Sequence, residues 1–366
     1  MDGFPTRRDE AWRWADLRHA EALKDTSPPA NDSLPETERL WLPLESERHL
    51  FVAGRPIAGN AQPPAPDRSM PRHPLADLAA ATASAGTTLA LEEGADGGTV
   101  QLLHVGRGGA AHGVTRVTLG AGARLTLVET FADEGADHWL NHRFDAELGE
   151  GAELVRIVRP MTQRGLVSDR AAVRQLGRSR FTQVLVATAA ASLRAEAHVG
   201  LEGEGAQAQV HGVMLGDGSA ALDTLTRLDH RVPGTTSRQR WRLVADATSQ
   251  VSIAGGVGVA RHAQHTDAEQ SLKALLLKRT AVVHLKPELE IFADDVSCAH
   301  GCTVGELDKA ALFYLESRGV PPAEAQALLT RAFVADVFEE LADARLREAL
   351  DAETQAWLGA RTGSRT

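Results

Sequence analysis

Cysteine is nearly absent from this sequence: among 366 residues there are two, Cys298 and Cys302. Two thiols cannot supply the several bridges that staple a small secreted domain, so the chain reads as one from a reducing compartment. Aromatic residues make up 4%, too few for a platform on which bases stack. Positive charge is in deficit, with 39 Lys and Arg against 49 Asp and Glu and a formal net charge of −10. Such a chain lacks the basic face that a phosphate backbone requires, so no nucleic acid is expected as a partner. Long apolar runs are missing too. The longest uncharged stretches, Leu78 to Leu91 and Ala247 to Ala260, are short and rich in Ala, Gly, Ser and Thr, which argues against a membrane span. The amino terminus, MDGFPTRRDEAWRWADLR, has acids and no apolar h-region, so no secretory signal is read there and a cytoplasmic location is expected.

Motifs for nucleotide and acyl chemistry are also absent. There is no Gly-x-x-x-x-Gly-Lys-Ser/Thr loop, and Gly106-Arg-Gly-Gly109 lacks the lysine. No Gly-x-Ser-x-Gly elbow occurs. Asp294 and Asp295 are adjacent, and on a strand they would point to opposite faces, which is no general acid–base couple.

Glycine, by contrast, is plentiful at 33 residues, and its placement is periodic. Gly-x-Gly-Ala recurs at Gly120–Ala123, Gly149–Ala152 and Gly203–Ala206, with a looser copy at Gly216–Ser219. Gly177-Arg-Ser179 and Asp246-Ala-Thr-Ser249 fall near intermediate positions. Steps of roughly 26 to 30 residues are in the window that marks stacked repeats. Between the turns lie strand-like runs such as Arg124–Phe131, Glu153–Val158, Phe181–Val186, Ala191–His198, Ala221–Leu228 and Val251–Ile253. Almost no helical period interrupts them, so a doubly wound α/β fold is disfavoured. A β-helix or a β-sandwich remains, and the repeat length favours the β-helix.

Three regions follow from these patterns. Residues 1–84 read as a helical arm, with Trp12, Ala15, Ala20 and Leu23 on one apolar side of Glu10–Leu23, followed by the proline-rich connectors TSPPANDSLP and AQPPAPDRSMPRHP. Residues 85–303 read as the β core and 304–366 as a helical domain. Glu306–Arg318 carries an amphipathic stripe of Leu307, Ala311, Leu312 and Leu315 and ends at Gly319, a C′ position. A second helix from Pro321-Pro322 to about Ala344 has Leu328, Leu329, Ala332, Phe333, Val337, Phe338 and Leu341 on its apolar face, and residues 348 to 360 read as a third short helix. These helices serve either to cap the β array or to dock a partner.

The densest chemistry lies at Ala293-Asp-Asp-Val-Ser-Cys-Ala-His-Gly-Cys-Thr-Val-Gly305. If 296 to 302 is extended, Cys298, His300 and Cys302 share one face. Thiolates and an imidazole hold soft metals or iron–sulfur units, but three donors leave a tetrahedral site incomplete. The alternative is two thiols packed beside a hydrogen-bonded histidine. His262-Ala-Gln-His265-Thr-Asp267 is a weaker cluster, and His138 and His142 form an i, i+4 pair in what reads as a loop. His104, His112, His198 and His211 are scattered.

Several segments in one order carry a resemblance: Leu225–Gln239, Thr266-Asp-Ala-Glu-Gln270, Leu275–Leu277, Lys286–Val296, Cys298-Ala-His-Gly-Cys-Thr-Val-Gly-Glu-Leu-Asp308, Ala311–Gly319 and the N-terminal Glu10–Leu17. Together they resemble the SufB/SufD family, which assembles iron–sulfur clusters, dense from about 222 to 340 and sparse before. The likeness leans to the SufD branch through the D-D-V-x-C-x-H-G-x-T-V-G pattern, with Gly301 where SufB-like chains carry Glu and Cys302 where Ala is usual. The resemblance implies a right-handed parallel β-helix with helical ends, and a non-catalytic scaffold rather than an enzyme. It implies pairing with a SufB-like subunit and docking of a SufC-like ATPase on the C-terminal helices, where Leu312, Tyr314, Leu315, Leu328, Phe333 and Phe338 are the expected contacts. It maps a cluster-assembly site shared with the SufB-like subunit to His300, with Cys298 as companion. The cargo would be a transient iron–sulfur cluster at that interface, with none on the isolated chain. An exposed β edge invites strand addition, so a homodimer is expected when the chain is alone. The competing class is a free-standing β-helix enzyme acting on carbohydrate, which would need a row of carboxylates or Lys/Arg along a groove; no compelling row is found.

Overall fold

The structure, a computed structural model, describes residues 4–29, 33–58, 62–65 and 70–363. Residues 30–32, 61 and 66–69 of the proline-rich connectors lie outside the described residues. In chain order the elements are α1 (Arg18–Leu23), β1 (Glu47–Val52), β2 (Arg55–Pro56), α2 (Pro74–Thr82), β3 (Ala85–Leu91), β4 (Asp96–Gly106), β5 (Gly109–Leu119), β6 (Arg124–Asp133), β7 (His138–Leu148) and β8 (Glu153–Met161). There follow β9 (Leu166–Gln175), β10 (Arg180–Ala187), β11 (Ser192–Leu201), β12 (Gln207–Gly216), β13 (Ala221–His230), β14 (Thr236–Ala245), β15 (Gln250–Val259), β16 (Asp267–Leu276), β17 (Val282–Ile291) and β18 (Ser297–Gly305). Three helices close the chain, α3 (Lys309–Ser317), α4 (Pro322–Ala335) and α5 (Ala344–Gly363).

Successive strands alternate between two sheets. One is ten-stranded in the order β18-β16-β14-β12-β10-β8-β6-β4-β1-β2, and the other is eight-stranded from β17 to β3 through the odd numbers. Every pairing from β3 onward is parallel, with Arg124 beside Glu153, Glu153 beside Arg180 and Arg180 beside Gln207. Each turn of chain therefore lays one strand on each sheet, which makes a parallel β-solenoid.

The repeated turn has a physical cause at each position. Its second glycine is left-handed, with φ of 68° at Gly122, 66° at Gly151 and 75° at Gly205, a conformation only glycine adopts without cost. Its first glycine lies against the preceding turn; a Cβ on Gly203 would sit 1.7 Å from the Gly177 nitrogen. The closing alanines Ala123, Ala152 and Ala206 are fully buried. The turns thus stack directly on one another, and Gly122 N–H donates to the Glu150 carbonyl at 2.8 Å.

Alternation sends one set of side chains between the sheets, where Leu127, Leu154, Phe181, Val210 and Trp241 meet Phe144, Val173, Leu193, Leu222 and Val251. Parallel sheets need cover on their outer faces as well. On the ten-stranded sheet, Val128, Ile157, Val184, Val213 and Val244 pack against Val334 of α4, against Val337 and Phe338 in the turn that follows it, since α4 ends at Ala335 rather than near Ala344, and against Leu346 and Leu350 of α5. On the eight-stranded sheet, the N-terminal arm lays Trp12, Ala15, Leu17 and Ala20 over Ala110, Trp139 and Leu166.

The arm differs from its sequence reading. Glu10–Leu23 is not one helix but a single 3-10 turn, Glu10–Trp12, followed by α1. Burial decides this: Trp12, Ala15, Leu17 and Ala20 are all buried, a spacing that no one helical face provides. The arm also holds α2, and β1, which pairs in parallel with β4 and extends the ten-stranded sheet. Beneath it, Arg194 is paired with Asp223 and Glu196, donates to the Ala11 carbonyl at 2.7 Å and lies 4.4 Å from the Trp12 ring centroid. At the other end, Asp308 caps α3 by accepting from Ala310 N–H at 2.7 Å. Gly319, at φ 89°, ends that helix, with Gly319 N–H donating to Glu316 O and Val320 N–H to Leu315 O, a Schellman closure.

Candidate functional site at the open end of the solenoid

Strands β17 and β18 form the last rung. Each has one neighbour, β15 and β16 respectively, so the opposite edge of each presents unpaired backbone groups. Cys298 lies in register beside Ala268, His300 beside Gln270 and Cys302 beside Leu272. Those three β16 residues are buried and face the interior, so the period of two carries Cys298, His300 and Cys302 along the same interior line. Among the described residues no strand stacks beyond them, and His300 and Cys302 are exposed. Apolar groups are stranded on the same rung: Val282, Ile291 and Val304 are exposed, and Phe292 just past β17 is 62% exposed.

Cys298 is half-buried in a small cluster with Val257, Ala268, Leu289 and Val296. Burial pushes its thiol pKa up, which disfavours the thiolate. The three donors do not close a chelate on their own. Among the described residues, the one trio of His, Cys, Asp or Glu whose ligand atoms converge within 4.8 Å is His104, Glu129 and His142, elsewhere in the fold. The open end therefore presents its donors in a row along one strand. Directly beneath His300, Gln270 is buried, and among the described residues neither of its side-chain amide atoms has a hydrogen-bond partner. Gln270 closes the Thr266–Gln270 segment of the sequence, but its burial beneath His300 shows only in the register.

The other residues singled out in the sequence separate. His265 lies in the β15–β16 turn at φ 59° and pairs with Asp295 at 3.0 Å, both well exposed. Asp267 pairs instead with Arg238 at 2.6 Å, so His262, His265 and Asp267 form no site. Asp294 and Asp295 sit in the bend between β17 and β18 rather than on a strand. His138 and His142, read as a loop, both lie on β7 and are buried.

The expected docking residues divide by burial. Phe313, next to two of them, is 72% exposed, Tyr314 57% and Leu328 44%. Leu312, Leu315 and Phe333 are half-buried. Phe338, at 2% exposed, is already used within the chain against the ten-stranded sheet, so it offers no surface to a partner. Its place on the apolar stripe was legible, but the neighbour that stripe covers was not.

No helix among the described residues is long and apolar enough to cross a membrane. A family model described as SUF system FeS cluster assembly, SufBD core domain, matches residues 103–333. The chain is 28% identical to the iron–sulfur cluster assembly protein SufD of Escherichia coli (strain K12), over 94% of this chain and 87% of that protein. It is 31% identical to the chloroplastic protein ABCI7 of Arabidopsis thaliana, over 62% of this chain and 49% of the relative. To the iron–sulfur cluster assembly protein SufD of Bacillus subtilis (strain 168) it is 34% identical, over 38% of this chain and 32% of that one.

Proposed function

This chain belongs to the SufBD family of the SUF iron–sulfur cluster assembly system, and from that membership we propose that it is a non-catalytic structural subunit of a cytoplasmic Suf assembly complex. In this reading a SufB-like subunit joins the open end of the solenoid, and a SufC-like ATPase docks on the exposed face of α3 and α4. The observation that carries it is the uncapped last rung. Unpaired strand edges, exposed Ile291, Phe292 and Val304, and the row Cys298, His300 and Cys302 occur together there. Strand addition would satisfy the edge and bury the apolar groups in one step. The cluster is cargo at the joint: His300 and Cys298 supply donors from this side, the partner completes the set, and the unpartnered Gln270 amide lies beneath to hydrogen-bond whatever His300 holds. When the SufB-like subunit is absent, a second copy of this chain takes its place at the edge.

The test is co-expression with SufB-like and SufC-like subunits, followed by size-exclusion chromatography and iron and sulfide analysis. Deleting the C-terminal helices would strip the apolar cover from Val128, Ile157 and Val213 and confound the result, so point changes are used. Phe292→Asp is expected to release the SufB-like subunit and keep the ATPase; Phe313→Asp with Tyr314→Asp is expected to do the reverse. A chain that elutes alone with both partners present sinks the scaffold reading. Unchanged cluster content in the complete complex bearing His300→Ala removes the role given to His300.

A further inference from the structure

The solenoid interior is charged between β4 and β9, far along the chain from the open end. Arg156 is fully buried there. Its guanidinium lies 2.6 Å from Glu129 Oε2 and 2.9 Å from Asp169 Oδ1, over the Phe144 ring at 4.0 Å. His142, in register beside Asp169, has Nδ1 2.9 Å from Asp169 Oδ1 and Nε2 3.5 Å from Glu129 Oε1. Thr115 Oγ1 bridges this last pair, 2.9 Å from Glu129 Oε1 and 3.0 Å from His142 Nε2. His104 enters from β4, its ring stacked between Phe51 and Phe131 at 5.1 and 5.0 Å. It is 8% exposed, and among the described residues its Nε2 has no hydrogen-bond partner. One ligand atom each from His104, Glu129 and His142 lies within 4.8 Å of the other two. A cavity of about 20 Å³ adjoins the His104 and His142 rings, lined also by His112, Leu140 and Asn141, which is room for one water.

Two features of this cluster are unexplained by folding alone. A buried imidazole nitrogen is left without a partner, which costs free energy. Two carboxylates, Glu129 and Asp169, face one guanidinium and both also touch His142, so a further positive charge beside them would balance the network out of water. Asp169 behind His142 Nδ1 is the carboxylate–histidine arrangement that orients an imidazole toward a metal. Gly113, in register with His142, leaves that ring its space, since a Cβ there would stand 3.2 Å from His142 Cδ2. Two imidazoles with one carboxylate suit iron(II) or zinc(II) rather than the oxygen-seeking calcium and magnesium.

We propose that His104, Glu129 and His142 hold one divalent first-row transition-metal ion inside the solenoid, with the adjoining cavity taking a water as fourth ligand. The site is on this chain alone and is separate from the row at the open end. It departs from the expectation that the isolated chain carries no metal.

The test uses the untagged full chain carrying Cys298→Ser, His300→Ala and Cys302→Ser, so that donors at the open end do not compete. After treatment with a chelator it is titrated with cobalt(II), then with zinc(II) in competition. The expected result is one equivalent bound, with visible ligand-field bands and no thiolate charge-transfer band, displaced by zinc(II). Adding His104→Phe preserves the ring stack and removes the orphaned nitrogen; it is expected to leave the circular dichroism spectrum intact and weaken binding at least 100-fold. His104→Leu serves as a second variant should the phenyl ring not be accommodated. A parent chain that binds neither ion overturns the proposal and leaves a proton as the source of the balancing charge. Affinity unchanged in a folded His104 variant overturns it as well. Partners are absent from the assay, so a failure to pair with a SufB-like subunit leaves the outcome untouched.

Discussion

Replacing Phe338 by alanine separates intramolecular packing from partner docking. The ring is 2% exposed and packs with Val334, Val337, Leu341, Leu346 and Leu350 against the outer valines of the ten-stranded sheet. A buried phenyl group removes about 150–250 Å² from water, which at about 25 cal/mol per Å² is about 4–6 kcal/mol. Part of that is retained by the alanine, and measured Phe→Ala costs in cores are about 3–5 kcal/mol. Phe313, on the neighbouring helix and 72% exposed, has little left to lose, and its replacement by alanine is expected to cost about 1 kcal/mol or less. The assay is urea denaturation of both variants, followed by helical ellipticity and by indole fluorescence, since Trp357 packs against the same apolar cluster. Phe338→Ala should release the C-terminal helices at lower urea, while Phe313→Ala should track the parent chain. Equal midpoints for the two variants would refute the packing of α4 and α5 on the solenoid, and with it the reassignment of Phe338 from docking to core.

Three further outcomes follow from the same geometry. Phe292→Asp, placing a charge among the exposed apolar groups of the last rung, should convert a self-associated chain to monomer by light scattering; persistent dimer would locate self-association elsewhere. Ala247→Gly should raise stability by about 0.5–1 kcal/mol, because Ala247 holds φ at 52° in a turn whose counterparts are glycine, and a left-handed alanine is strained; a lower unfolding midpoint would contradict this. Stability should fall as pH drops below 6.5, because burial holds His112 and His230 down to about 4, so the unfolded chain binds protons that the native one refuses. Each contributes about 1.4 kcal/mol per pH unit across that window. Asp223 acts oppositely: burial pushes it up to about 6, so below that pH the native state gains a proton that the unfolded chain takes only near 3.8, and the slope should become shallower. A series of urea midpoints from pH 7.5 to 4.5 reads both segments, and a flat profile would contradict the burial of the two histidines.

What the sequence determined by itself is what its neighbours in the chain enforce. The Gly-x-Gly-Ala turns encode a left-handed glycine, a close backbone approach and a buried alanine within four residues, so the solenoid was legible from their recurrence. The stop at Arg318-Gly319 and the shared face of Cys298, His300 and Cys302 rest on equally local rules, the Schellman closure and the period of two. The tertiary structure decided everything that depends on register between distant residues. His142 faces Thr115 across a separation of 27 positions, and Arg156 reaches Glu129 across 27. His104, Glu129 and His142 therefore read as unrelated residues until two sheets bring them together. Glu47–Val52 lies between proline-rich connectors and shows its strand character only by pairing with β4. The stripe ending at Phe338 announced that something would cover it, and periodicity carries no information about what. Whether a side chain on the last rung is core or surface likewise depends on whether another strand follows it in space, which only the stacked solenoid reveals.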